Sequence, residues 1–180
     1  MTSDNTQTTT EKVLEFGIKR EHEEFRDGGC AVVFDPQSQK YAIGRRTTPD
    51  GLIILFSGGV EPDEEMQAGV LRELREESGL HDYLHVELIT EALTHYRHIA
   101  KNLNRVAHAT CFLVILKSTD CLPTQLEEHE KFVLDWATPE EILANWNDRN
   151  TDHGNDHWIY FLNKSVARAK ELGYDKAVKS

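Results

Sequence analysis

The chain has 180 residues, 39% hydrophobic and 28% charged, a balance suited to one soluble domain with a sizeable buried core. Its net charge of −11, from 31 acidic and 20 basic side chains, argues against a partner held through a long phosphate backbone. No apolar run approaches the roughly 20 residues of a membrane span, and the opening MTSDNTQTTTEK lacks the basic and apolar regions of a secretory signal.

In chain order, residues 1–12 are a polar tail expected to be disordered, and 13–180 form one domain. Val13 to Phe25 is mixed in period and fits a strand or an edge element. Gly29 to Asp35 and Lys40 to Arg45 read as strands joined by a Pro36-Gln37-Ser38-Gln39 turn. Leu52 to Phe56 is a buried strand feeding Gly58-Gly59. A helix is predicted from Asp63, as N-cap, to Ser78, with Gly79 stopping it. Tyr83 to Tyr96 and Val106 to Leu116 are strands on either side of a polar, basic hairpin tip, RHIAKNLNR. Phe132 to Trp136 is the last strand, Pro139 opens a short helix over Glu140 to Trp146, and a longer helix covers Asp156 to Leu172. This irregular alternation, without repeats, implies an α/β fold with a mixed sheet and helices on both faces. Cys30, Cys111 and Cys121 have no metal-type spacing and are expected as buried free thiols in a reducing cytoplasm.

The stretch Gly58 to Leu80 carries the most chemistry. On a helix, Glu73, Glu76 and Glu77 stand at i, i+3 and i+4, so their carboxylates share one face. Like charges so placed destabilise a helix by roughly 0.2–0.5 kcal/mol per pair. A hard divalent cation offsets that repulsion and often meets phosphate oxygens in the same site. A solvated acidic helix is the simpler alternative. Leu71 and Leu74 on the opposite side, however, give the helix a core-facing stripe. Gly69 lies on the acidic face one turn before Glu73, where glycine costs ~1 kcal/mol against alanine. Its use there implies a close approach by another backbone or a ligand.

The pattern Gly58, five residues, Glu64, seven residues, then Arg72-Glu73-Leu74-x-Glu76-Glu77-x-Gly79-Leu80 resembles the Nudix box and fills each of its fixed positions. The resemblance spans Gly28 to Trp146 and implies a Nudix-type α/β/α sandwich with the acidic helix packed on the sheet. It implies that Glu73, Glu76 and Glu77 bind Mg²⁺ or Mn²⁺, with the Gly58 carbonyl as a further ligand. Glu64 and Arg72 are implied as an internal ion pair, structural rather than catalytic. Many family members also carry a late glutamate six residues before a tryptophan, matched by Glu130 before Trp136. Glu130 is therefore a further candidate for metal binding and catalysis, with Glu127 and Glu128 as fallbacks and an exposed acidic loop as the alternative. Trp136 itself reads as core, with substrate stacking as the alternative.

Substrate contacts are harder to place. Arg45 and Arg46 end a predicted strand and offer forks that match phosphate oxygens, or else serve solubility. Phe56, before the glycine pair, joins them as a candidate. Tyr96 to Arg105 is basic and aromatic in an acidic chain. A tyrosine near this point is a feature of dinucleoside polyphosphate hydrolases, so Tyr96 and Arg105 are candidates too, against an ordinary polar hairpin surface. His153 and His157, at i and i+4, have the spacing of a metal pair, but a loop and helix cap is favoured beside Asp152 and Gly154. The box is entered by Phe56-Ser57-Gly58-Gly59 rather than Phe-Pro-Gly-Gly, and signatures of NADH, ADP-ribose and coenzyme A hydrolases are not recognisable.

The resemblance implies a metal-dependent hydrolase of the pyrophosphate linkage in a nucleoside diphosphate joined to another moiety. The expected partner is a small nucleotide-type substrate, with no long nucleic acid and no membrane, in a cytoplasmic protein for which a homodimer is one option. One alternative is a nucleotide-binding or sensing module without turnover, which has no need of three metal glutamates. Another is an isoprenoid diphosphate isomerase, for which neither cysteine-bearing strand has the catalytic context.

Overall fold

Strand β2 (Glu24–Asp35) is the centre of the architecture, and its second half is buried on both sides because helices cover both faces. The computed structural model describes residues 13–99, 101–126, 131–150 and 154–176; the polar tail expected over 1–12 lies outside them. β2 pairs in parallel with β7 (Leu103–Leu116), and antiparallel with β3 (Lys40–Arg46) at one end and β5 (Phe56–Gly59) nearer the other. Beyond β7 lie β6 (Tyr83–His98), antiparallel to it, and β1 (Leu14–Gly17), parallel to β6. Beyond β3 lie the short β4 (Ile53–Ile54) and β8 (Phe132–Ala137), both antiparallel to it. The result is the mixed sheet expected, and β6 and β7 form the expected hairpin around a basic tip.

Because side chains alternate along a strand, β2 and β7 supply two separate cores. Ala31, Val33 and Phe112 join Val70 and Leu74 of α1 (Met66–Ser78) on one face. Val32, Phe34 and Leu113 join Trp146 of α2 (Pro139–Asn147) and Phe161 and Leu162 of α3 (Asp156–Glu171) on the other. Leu74 is fully buried, so its truncation to alanine removes ~2–5 kcal/mol. Trp136 packs, partly buried, on the α1-side core. Among the described residues, no helix is long and apolar enough to cross a membrane.

Three local expectations need correction. The strand predicted over Leu52 to Phe56 breaks at Leu55. The Asn145 side chain accepts the Ile53 N–H at 3.0 Å and the Trp146 indole donates to the Ile53 carbonyl at 2.8 Å, so α2 takes over part of that residue's backbone bonding. Helix α1 begins at Met66 with Glu65 in the cap position and no side-chain cap, so Asp63 does not start it. Its end is as read: Gly79 takes φ 79°, and its N–H reaches the Arg75 carbonyl at 2.9 Å. Cys30 and Cys111 face each other in register and are buried, but Cys121 is exposed.

The apolar cover on the α3 side stops before the first half of β2. There Arg26 and Gly28 stand beside Arg105, Ala107 and Ala109 of β7, leaving part of the sheet open as a cleft.

Candidate active site

Arg72 organises the acidic face of α1. Its Nε and one Nη donate to the two oxygens of Glu64 at 2.9 and 3.1 Å, a bidentate pair joining the loop to the helix. The same Nη reaches the Gly59 carbonyl at 3.2 Å. The other Nη lies between Glu73 and Glu76, at 2.9 and 3.1 Å. A guanidinium has the donors and the planarity for such a junction, and a lysine does not. Arg72 holds the Glu64 carboxyl below its usual range, helped by the Glu61 amide. The Glu64 contact likewise pushes the guanidinium pKa of Arg72 further up.

Gly69 now has a reason. A β-carbon there would stand 2.8 Å from a Glu64 oxygen and 3.0 Å from Val60, so the glycine leaves room for the Glu64 carboxylate rather than for a ligand. Glu77 is only 7% exposed, and its carboxylate accepts the Ser57 N–H at 3.0 Å. Side chains at Gly58 and Gly59 would overlap Glu73 and the Arg26 guanidinium respectively. Both glycines are therefore sites of close approach, one for each face of β5.

A cleft of about 790 Å³ opens from this point. Gly58, Gly59 and Glu73 form its inner end, Arg26, Thr94 and Ala107 its floor, and Tyr96, Lys101 and Arg105 its outer end, with His157, Trp158 and Phe161 of α3 as a wall. Tyr96 and Arg105 are thus brought to the same cavity as the box, opposite each other on β6 and β7. Burial pushes the His157 imidazole down to about 4, so it is neutral near pH 7. It sits against Trp158, ring centroids 4.6 Å apart, and edge-on to Phe161 at 6.0 Å.

Other candidates lie elsewhere. Arg45 pairs with Asp135 at 2.6 Å across β3 and β8, and Arg46 with Asp50 at 3.9 Å, so neither lines the cleft. Phe56 is 1% exposed and packs against Phe132 in the α1-side core, because it alternates away from the cavity. Glu127, Glu128, Glu130 and His153 lie outside the described residues. Sequence reasoning missed Arg26 and the wall of α3. Arg26 has no local motif and reaches the site only through the pairing of Gly28 with Gly59.

Among the described residues, no three acidic, histidine or cysteine side chains form a ready-made cation site. Arg72 already occupies the space between Glu73 and Glu76, and the Ser57 amide holds Glu77. The donor set still fits Mg²⁺ or Mn²⁺: carboxylate oxygens from one helix face, half-buried or buried, beside the glycine backbone.

A family model described as the NUDIX domain matches residues 24–160. The chain belongs to the Nudix family. By that membership it is a Nudix-type pyrophosphohydrolase. Nudix structures of similar fold include the MutT protein from Methanosarcina mazei Go1, with 18% identity, 83% of this chain and 98% of that chain covered, and a TM-score of 0.55. The NUDIX domain of Shewanella oneidensis NrtR, complexed with ADP ribose, has 17% identity, coverage of 80% and 90%, and a TM-score of 0.54. A C. elegans Ap4A hydrolase binary complex has 12% identity, coverage of 81% and 98%, and a TM-score of 0.53. At these identities the likeness is one of fold. Compared with curated proteins, the sequence matches none.

Proposed function

We propose that the protein is a metal-dependent hydrolase that cleaves the pyrophosphate linkage of a nucleoside diphosphate joined to another moiety. One observation carries this reading: Glu73, from the three-glutamate face of α1, reaches the inner end of a cleft that runs on over Tyr96 and Arg105. The volume, about 790 Å³, is in the range of small-molecule sites. Two structural neighbours, an Ap4A hydrolase and a domain complexed with ADP ribose, are named for molecules with a pyrophosphate bridge.

In this reading Glu73, Glu76 and Glu77, with the Gly58 carbonyl and with Glu130, hold Mg²⁺ or Mn²⁺. Such an ion would supply charge neutralisation at the substrate phosphates and activation of the attacking water. Arg72, fixed by Glu64, keeps Glu73 and Glu76 together on the inner side of the helix. Ser57 orients Glu77 through its backbone N–H. A water oxygen attacks one phosphorus, the bridging P–O bond breaks, and a carboxylate of this set takes the water proton. Tyr96 stacks on a base, a contact worth ~1–3 kcal/mol. The buried thiols Cys30 and Cys111 fit a reducing compartment such as the cytoplasm.

The test is a hydrolysis screen over nucleoside triphosphates, dinucleoside polyphosphates, ADP-ribose, nucleotide sugars and NADH. Turnover of at least one with Mg²⁺ or Mn²⁺, abolished by EDTA, is expected. Tight binding without any turnover would make the chain a sensing module instead.

A further inference from the structure

Two guanidinium groups that line the cleft lack the acceptors that Arg72 and Arg168 find. Arg72 bonds to Glu64, Glu73 and Glu76, and Arg168 bonds to Glu87 and Glu171. Arg105 is only 7% exposed, and its buried Nε has no hydrogen-bond partner. The carboxylate paired with it is that of Glu24, 3.8 Å from one Nη and itself largely exposed. A buried donor left unpaired carries a desolvation penalty, so a cationic side chain short of acceptors beside a cavity is matched by an anion inside that cavity. Arg26 reinforces the pattern. Its guanidinium lies over Gly59, in space that a side chain there would fill, and no described carboxylate pairs with it.

The strand register places the two groups relative to the acidic end. β2 and β7 are parallel, with Arg26 opposite Ala107 and Glu24 opposite Arg105. Arg26, Ala107 and Arg105 line the same cavity, so the two arginines are diagonal neighbours on one face of the sheet. Diagonal neighbours stand about 7–8 Å apart, within reach of long side chains. Gly28 pairs with Gly59, and at ~3.3 Å per residue the row of Arg105 lies about 13 Å further along the sheet. The two cations therefore stand beside the carboxylate end and beyond it. Lys101 continues the positive character at the mouth, in a chain whose net charge is −11.

We propose that Arg26 and Arg105 form an anion site for a phosphoryl group that the substrate carries outside the bond being hydrolysed, so that the enzyme selects nucleotide derivatives bearing an additional phosphate. A phosphoryl group between the two side chains accepts from the Arg105 Nη groups, which Glu24 meets only at 3.8 Å, and from the Arg26 fork, in the geometry guanidinium offers to phosphate. The inference rests on reading the cleft as the substrate site.

Isothermal titration in EDTA tests it without turnover. NADPH and NADH differ by one phosphate monoester remote from the pyrophosphate, and orthophosphate is the third titrant. Wild type is expected to bind NADPH at least about tenfold more tightly than NADH, as a charge-assisted hydrogen-bonded contact implies. That ratio is expected to collapse towards one in Arg105→Gln and in Arg26→Gln. The second variant lies at a half-exposed position, so its fold survives if loss of the buried arginine disturbs packing. Orthophosphate is expected to compete with NADPH in wild type. No preference for NADPH in wild type, or a preference that both variants retain, overturns the proposal. Orthophosphate binding that leaves NADPH affinity unchanged also overturns it, since the site would then serve a free ion. None of these results bears on hydrolysis, which the metal-dependent screen tests separately.

Discussion

Glu73 and Arg26 approach neighbouring residues of β5 from opposite faces, Glu73 filling the space of a side chain at Gly58 and Arg26 that of one at Gly59. Successive strand residues point to opposite faces, so two glycines in a row bring a carboxylate from the α1 side and a guanidinium from the α3 side to one end of the cleft. Both displaced groups are the ends of flexible side chains, so either glycine accepts alanine without unfolding. Gly58→Ala is expected to move Glu73 and lower kcat on the order of a hundredfold, the scale of a small misplacement in an active site. Gly59→Ala is expected to move Arg26 and act mainly on KM. Steady-state kinetics with circular dichroism checks both, and wild-type kcat in Gly58→Ala would separate Glu73 from the chemistry.

Glu64→Gln removes the charge that anchors Arg72 and leaves the guanidinium with Glu73, Glu76 and the Gly59 carbonyl. A lower melting temperature at neutral pH is expected, with activity falling through loosening of the loop. Wild-type melting with abolished turnover would make Glu64 catalytic.

Acid stability is expected to divide into two windows. Burial lowers His157 to about 4 in the folded state, against about 6.5 in an unfolded chain. Between those values the unfolded state binds more protons, so stability falls as pH drops through that range. Glu64 acts lower: its folded value is depressed by Arg72, so its contribution is present above the unfolded value of about 4.3 and is lost as pH falls through the folded one. Melting temperature against pH should lose its upper slope in His157→Phe and its lower slope in Glu64→Gln. Slopes matching wild type in both variants contradict these assignments.

Tyr96 is 36% exposed at the outer end of the cleft. Tyr96→Ala is expected to raise KM about tenfold for a dinucleotide substrate with kcat nearly unchanged, because stacking is similar in ground and transition states. Equal KM values across the substrate screen would put the ring outside the site.

The box was legible because its logic is local. From Gly58 to Leu80 one strand end, one loop and one helix set the three glutamates on one face, which spacing alone expresses, and bring Glu64 to Arg72, which the family resemblance implies. Gly79 was legible for the same reason, as a helix stop that requires positive φ. What failed depended on distant partners. Arg45 looks free until β3 meets Asp135 of β8, and Phe56 adjoins the glycines in sequence while alternating into the opposite core. Arg26 and His157 carry no motif and enter the cleft only through strand register and the packing of α3.

Turnover of Glu77→Gln at saturating Mg²⁺ tests most directly whether the carboxylate face of α1 performs metal-dependent hydrolysis. The amide oxygen of glutamine can still accept the Ser57 N–H that Glu77 now receives at 3.0 Å, so the fold and melting temperature should be kept. The lost charge is expected to lower kcat a hundredfold or more, on the order of the several kcal/mol that metal-ion catalysis supplies. Wild-type kcat in a folded Glu77→Gln protein would contradict the account.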